Sequence, residues 1–273
     1  DDNIICTIRD TGIGIKESTK KALIECGYVM PVFSVQSFTK RNLELMGVDY
    51  TSVLETVEFM IQSGKEVRLN SVYTNQGIEE FCQIIDYCIE KGIRRYSIGV
   101  YIDINSQNEN VKTNSFKDVR ILDEKLQLYI VNKYGENKLE LSVEGCMLYS
   151  GYPEFEHEIQ TLSPFEQEYF GCRAGKSKLE IYSDGSVYPC ICLENEITPT
   201  SNIKNKSLKE IWNNDIVTNA IRSKKTTNKE CQKCGYNIIC NSGCMAIKMK
   251  KYGNDFIAYK DPRCEIVHNE ELK

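Results

Sequence analysis

Over the first hundred positions, short apolar runs alternate with longer segments in which apolar residues recur every three to four positions. Ile4–Ile8 reads as a strand, and Lys16–Cys26 as a helix stopped by Gly27. Tyr28–Val35 is continuously apolar, as a strand buried on both faces would be. Thr51–Gln62 carries Val53, Leu54, Val57, Met60 and Ile61 on one helical face and closes at Gly64. Glu66–Val72 is the next strand. Asn75–Lys91 is a helix with Ile78, Phe81, Cys82, Ile85, Cys88 and Ile89 facing inward, ended by Gly92, and Tyr96–Ile102 is a further strand. Strands alternating with helices predict an α/β fold with a covered parallel sheet. About four strands suit an incomplete barrel or an open sheet, with functional residues at the strands' C-terminal ends.

The pattern then weakens. Residues 103–115 are polar and loop-like, Phe116–Lys133 is an amphipathic helix, and 134–170 form a poorly readable bridge. From Gly171, cysteines, glycines and turn signals dominate. The expected division is a barrel-like part (1–105), a helical bridge (106–165) and a cysteine-rich domain (166–273).

Composition narrows the class. The chain has 273 residues, 41% hydrophobic and 27% charged, with a net charge of −5. Those values suit a globular protein and give no reason to expect nucleic acid as a partner. The Lys248–Lys251 stretch reads as a solvated helix face. No apolar run approaches the ~18 residues that span a membrane. No signal peptide precedes the first strand, so a cytoplasmic location without membrane contact is expected. The chain opens Asp1-Asp2 without an initiator methionine, which is read as a sign of a missing N-terminal part.

Thirteen cysteines is a high and odd count. Disulfides would need an oxidising compartment and would leave a thiol over. With two histidines, His157 and His268, a histidine-based zinc site or catalytic dyad has little material. Seven cysteines form a pattern: Cys172, then Gly185-x4-Cys190, then Cys231-x2-Cys234-x5-Cys240-x3-Cys244, then Cys264. The four from Cys231 to Cys244 lie within fourteen residues and can converge on one centre. Thiolates suit zinc or iron–sulfur clusters, and spacing alone leaves both open. Gly235 and Gly243 let the backbone wrap closely. Leu179–Tyr182 and Ser186–Tyr188 flank Ser183-Asp184-Gly185, a hairpin signal that would bring Cys190 near Cys172. Cys6, Cys26, Cys82 and Cys88 read as ordinary strand, helix-end or core residues. Cys146 and Cys192 are held as possible extra ligands.

The seven-cysteine pattern resembles the signature of the SPASM domain, the C-terminal extension of many radical S-adenosylmethionine (SAM) enzymes. Ile181-Tyr182-Ser183-Asp184-Gly185-Ser186-Val187-Tyr188-Pro189-Cys190, Ser207-Leu208-Lys209-Glu210-Ile211-Trp212 and Asp261-Pro262-Arg263-Cys264 agree with it. Less specifically, Phe33–Phe38, Val67–Thr74 and Tyr96–Val100 resemble the fourth, fifth and sixth strands of the radical SAM partial (β/α)6 barrel.

The resemblance implies two auxiliary [4Fe–4S] clusters. Cys172, Cys190 and Cys244 would hold the first, and Cys231, Cys234, Cys240 and Cys264 the second. The first would either keep an open iron or borrow Cys146 or Cys192. Ser34, Gln36, Asn70 and Tyr101 are expected SAM contacts. The SAM-cleaving third cluster needs Cys-x3-Cys-x2-Cys, which is absent: the only Cys-x3-Cys is Cys240/Cys244, and position 247 is Ile247. That centre is expected in a missing N-terminal part. The implied activity is maturation of a ribosomally made peptide or protein, with thioether formation as the narrower expectation. Its partners would be the peptide and an electron donor such as flavodoxin or ferredoxin. A sulfatase-type formylglycine maturase and a non-catalytic iron–sulfur module are the alternatives. Asp10-Thr11-Gly12-Ile13-Gly14 resembles an ATP-lid glycine motif but is read as the turn after the first strand.

Overall fold

A computed structural model describes residues 6–74, 76–102, 114–144, 159–164, 166–167 and 171–265. It divides into two compact units, Asp1–Tyr101 with Ile121–Glu144, and Ile102–Arg120 with Gly145–Lys273.

The first unit is built on a parallel five-stranded sheet. Its strands are β1 (Cys6–Asp10), β2 (Val29–Ser34), β3 (Arg68–Tyr73), β4 (Arg95–Val100) and β5 (Glu140–Glu144). They lie side by side in chain order, every pair parallel. A doubly wound sheet reverses its order at a switch point, whereas this sequential order is that of a barrel segment. The expected partial-barrel α/β class therefore holds. α1 (Glu17–Glu25), α2 (Arg41–Met46), α3 (Tyr50–Gln62), α4 (Ile78–Glu90) and α5 (Phe116–Tyr134) punctuate the strands.

The helices form where the 3.6-residue stripes lie. Val53, Val57 and Met60 of α3 and Phe81, Ile84, Ile85 and Cys88 of α4 are fully buried, as are Phe33, Leu69, Tyr96 and Ile98 from the sheet. Gly64 and Gly92 end α3 and α4 with φ of +77° and +70°, a conformation that costs a side-chain-bearing residue. Thr56 sits on the buried face of α3 because its hydroxyl donates to the Gly12 carbonyl at 2.7 Å. The Asp10–Gly14 motif is indeed the turn after β1: the Gly12 amide donates to the Asp10 carboxylate at 2.7 Å.

Two elements were not foreseen. β5 comes from the segment read as a bridge. Leu139, Leu141 and Val143 are buried, and their alternation with Glu140, Ser142 and Glu144 is a short period-2 signal. α2 is six residues long, too short for a stripe, and ends at Gly47 with φ +72°.

The second unit has little regular structure. A hairpin pairs β6 (Glu180–Ile181) with β7 (Val187–Tyr188). Then come α6 (Leu208–Asn214), α7 (Ile216–Ser223), α8 (Lys229–Lys233), α9 (Asn237–Cys240) and α10 (Met245–Tyr252). Side-chain caps hold α6, α7 and α8. Ser207 and Glu210 form a reciprocal capping box on α6, and Asn228 accepts the Cys231 amide at 2.9 Å on α8.

Asp215 caps α7 and is 4% exposed. Burial alone would raise its carboxyl, but hydrogen bonds from Ser201, Thr200 and the Thr218 amide outweigh that and hold it at about 2. A carboxyl lowered by folding stabilises the protein above its unfolded value of ~3.9 and loses that effect as pH falls toward 2. Asp215→Asn is therefore expected to cost about 2 kcal/mol at neutral pH, with the gap closing between pH 4 and 2. Urea denaturation of both forms at stepped pH measures it; a gap independent of pH contradicts the assignment.

Candidate functional site

Four cysteines come from three places in the second unit. Cys231 lies in α8, Cys234 is its C-cap, Cys240 ends α9, and Cys264 follows the turn Asp261-Pro262-Arg263. All four line one pocket with about 400 Å³ of empty space, shared with Tyr236, Asn237, Ser242 and Asp261. Burial pushes the Cys231 thiol up to about 11, and neighbouring Cys264 and Cys234 add to the shift.

A second group gathers around a small apolar core of Phe116, Ala174, Leu193, Ile221, Cys244 and Ala246, against which Cys172, Cys190 and Cys192 pack, together with Cys240 and Cys264 of the first group. The hairpin places them. Gly185 turns it with φ +87°, and the Gly175 amide reaches the carbonyl of Pro189, drawing the chain after Cys172 toward Cys190. Cys244, the N-cap of α10, is held up at about 12 by burial, with the Cys172 thiol contributing. Cys190 is pulled down to about 6, chiefly by a hydrogen bond with the Cys192 side chain, against the effect of burial.

Between the groups runs Asn241-Ser242-Gly243, three successive residues with φ of +45°, +64° and +98°. This loop turns the chain from Cys240 to Cys244 within three residues. It is secured by Asn241, whose side chain accepts from the Thr226 amide and donates to the Lys224 carbonyl. A Cβ on Gly243 would sit 2.1 Å from that of Asp261, so only glycine fits. Asp261, 1% exposed, accepts from the Cys244 amide at 2.7 Å and from Arg263 Nε and Nη2 at 2.9 and 2.8 Å.

The donor set is thiol-only, and buried thiols held well above neutral pH ionise when a metal supplies the opposing charge. The twelve described cysteines form no disulfide. Among the described residues, no three His, Cys, Asp or Glu side chains are drawn closely enough together to hold one metal ion. Four thiols spaced around a pocket suit a polynuclear cluster, whose ligand sulfurs are held apart by the core, better than one tetrahedral zinc.

In the first unit, Ser34 and Asn70 are register partners on β2 and β3, and the Ser34 hydroxyl donates to Asn70 Oδ1 at 2.8 Å. Among the described residues, the Asn70 Nδ2 takes part in no hydrogen bond. Gln36 is occupied structurally: its Oε1 accepts from the Val72 amide at 2.6 Å and its own amide donates to Asn42. Tyr101 follows β4, with its amide on the Tyr73 carbonyl. Cys88 is buried, Cys82 half-buried, Cys6 exposed in β1, and Cys26 caps α1. Cys146, His157 and His268 lie outside the described residues.

One reading of the sequence is overturned. Lys248 is not on a solvated face: it is 3% exposed, while Lys250 and Lys251 are exposed. The spacing held the clue, since Lys248 lies four residues after Cys244 and so shares its side of α10.

Residues 172–235 match the SPASM family, an iron–sulfur cluster-binding domain. The chain thus resembles radical SAM enzymes that carry a SPASM domain, in sequence and in fold. In structure it is similar to Streptococcus suis SuiB, with 33% identity and a TM-score of 0.87 over 95% of this chain and 60% of that one. It therefore spans less than two thirds of SuiB. SuiB has been crystallised with S-adenosylmethionine and with the precursor peptide SuiA. The fold also matches anSMEcpe, at 20% identity and a TM-score of 0.66 over 94% of this chain and 69% of that one. Among curated proteins, the cysteine-type anaerobic sulfatase-maturating enzyme of Clostridium novyi (strain NT) is 32% identical over 74 residues, 27% of this chain and 20% of that protein.

Proposed function

We propose that this chain supplies the later barrel strands and the SPASM domain of a radical SAM maturase acting on a ribosomally made peptide. The observation that carries the reading is the likeness to SuiB over 95% of the chain, since SuiB binds both S-adenosylmethionine and a precursor peptide. The sulfatase-maturating likeness covers 27% of the chain and supports the sibling reading, a protein-modifying maturase, more weakly.

The ligand division is three plus four. Cys231, Cys234, Cys240 and Cys264 hold one [4Fe–4S] cluster, a reading supported by the pocket they share. Cys172, Cys190 and Cys244 hold the other, and the packing of Cys192 beside Cys190 makes it the extra ligand of choice. When bound, such clusters supply one-electron transfer and a Lewis-acidic iron.

The chain's own residues do the positioning. The 241–243 loop fixes Cys240 and Cys244, and the Asp261–Arg263 pair fixes Cys244 and Cys264. Ser34 at the end of β2 and Asn70 within β3 offer polar contacts for SAM, and Gln36 and Tyr101 are the other proposed contacts. Gln36 acts through the backbone it braces. A Cys-x3-Cys-x2-Cys motif is not among these 273 residues, so the SAM-cleaving centre is proposed to lie on another segment of the full protein. The electron donor is proposed to be a flavodoxin or ferredoxin, and the narrower product a thioether.

The test is anaerobic incubation of the full-length protein with SAM, a strong reductant and any small peptide found encoded beside it. Formation of 5′-deoxyadenosine and a changed peptide mass are expected. Intact SAM and an unmodified peptide would overturn the reading.

A further inference from the structure

Lys248 is a buried cation without a carboxylate partner. Its Nζ donates to the Ser242 hydroxyl and lies 5.8 Å from the centre of the Phe256 ring, and it makes no ion pair among the described residues. Removing an ammonium from water is costly unless an opposite charge meets it. The buried carboxylate near it, Asp261, is already taken by Arg263 in a two-point ion pair. Among the described residues, the remaining groups able to offset Lys248 are the thiols of Cys231, Cys240 and Cys244, each close enough to act on it electrostatically. Burial lowers the affinity of Lys248 for its proton, and negative charge on Cys231, Asp261, Cys240 and Cys244 offsets part of that. Two of the three cysteines belong to the four-cysteine pocket, and Ser242, the one hydrogen-bond partner, lines that pocket.

We propose that Lys248 is the built-in counter-charge of the cluster held by Cys231, Cys234, Cys240 and Cys264, and that it raises that cluster's reduction potential. This rests on the iron–sulfur reading above. A four-thiolate cluster gains negative charge on reduction, so a fixed positive charge behind it favours the reduced form, and in a water-poor site the effect is weakly screened. Lys248 is a positioning residue in charge only: it touches the loop that carries a ligand and is not itself a ligand.

The test uses the whole 273-residue chain, reconstituted anaerobically with iron and sulfide, in a redox titration followed by electron paramagnetic resonance. Cys234→Ala identifies which signal belongs to the four-cysteine pocket. Lys248→Met is expected to lower the reduced-to-oxidised ratio of that signal about tenfold at the parent's midpoint, on the order of 59 mV for one electron. Lys248→Arg is expected to keep the parent's value, and the other cluster to move less.

A Lys248→Met signal at the parent's potential would overturn the proposal. Should Lys248→Met take up no second cluster while Lys248→Arg does, the need for charge is shown by assembly instead. Equal loss in both variants assigns Lys248 to packing and overturns it. Failure of the parent chain itself to take up iron would instead overturn the iron–sulfur reading on which the proposal stands.

Discussion

Replacing Cys234 with alanine is expected to remove about half of the iron from the anaerobically reconstituted chain, with a matching loss of the broad absorption near ~400 nm. The expectation follows from where the thiols stand. Cys231, Cys234, Cys240 and Cys264 share one pocket, whereas Cys172, Cys190 and Cys192 pack around Cys244 and its apolar neighbours, a core that Cys240 and Cys264 also touch and Cys234 does not. Cys234 belongs to the first set alone, so its loss leaves the other centre with all its ligands. Cys190→Ala is expected to remove the complementary half, and the double variant nearly all. Iron and acid-labile sulfide assays with the visible spectrum read this directly. Zinc in place of iron would sink the cluster reading, and complete iron loss from either single variant would sink the three-plus-four division. The two proposed sets are joined in backbone, because only three residues separate Cys240 from Cys244. A partial effect of each variant on the other centre's stability is therefore compatible with the division; a partial effect on its ligation is not.

What could be read from the sequence follows from which signals are local. The strands β1–β4 and the helices α3 and α4 carry clear apolar patterns over five to thirteen residues, and each lies close to where its pattern put it. β5 escaped because its five residues follow a long helix and a glycine-containing turn, with an alternation too short to stand out. The cysteine pattern was legible because ligand spacing is set by short turns, and Gly185 and Gly243 take the left-handed conformations such turns require. Lys248 was not legible by charge. A lysine in a run of lysines looks solvated, and its burial depends on Ser242, Phe256 and the cysteine-bearing loops that the helix meets only in the folded unit. The role of Asp261 was equally hidden. The motif Asp261-Pro262-Arg263-Cys264 identified itself by resemblance, but nothing in four letters says that the carboxylate turns back on the Cys244 amide.

That carboxylate carries the second large expected effect. Asp261→Ala should lower stability by about 3–5 kcal/mol, the cost of breaking a buried ion pair from one side. Asp261 is 1% exposed and Arg263 7%, and the guanidinium lies 4.8 Å from the centre of the Phe116 ring. Truncation leaves that cation buried and strips the Cys244 amide of its acceptor. The carboxylate holds Cys244, whereas the Asp261 backbone carbonyl, which alanine retains, still accepts the Cys264 amide at 2.9 Å, so the Cys244 side loosens first. For a unit of this size the loss corresponds to a fall in melting temperature of about 10 °C or more. Arg263→Met alone is expected to cost less than Asp261→Ala, because the surviving carboxylate still accepts the Cys244 and Arg263 amides. The double variant should cost less than the two singles summed, as partners in one buried pair do. Thermal denaturation of the four forms closes the cycle. Strict additivity would show that Asp261 and Arg263 act independently, and the carboxylate's part in joining the two cysteine sets would then rest on its backbone contacts alone.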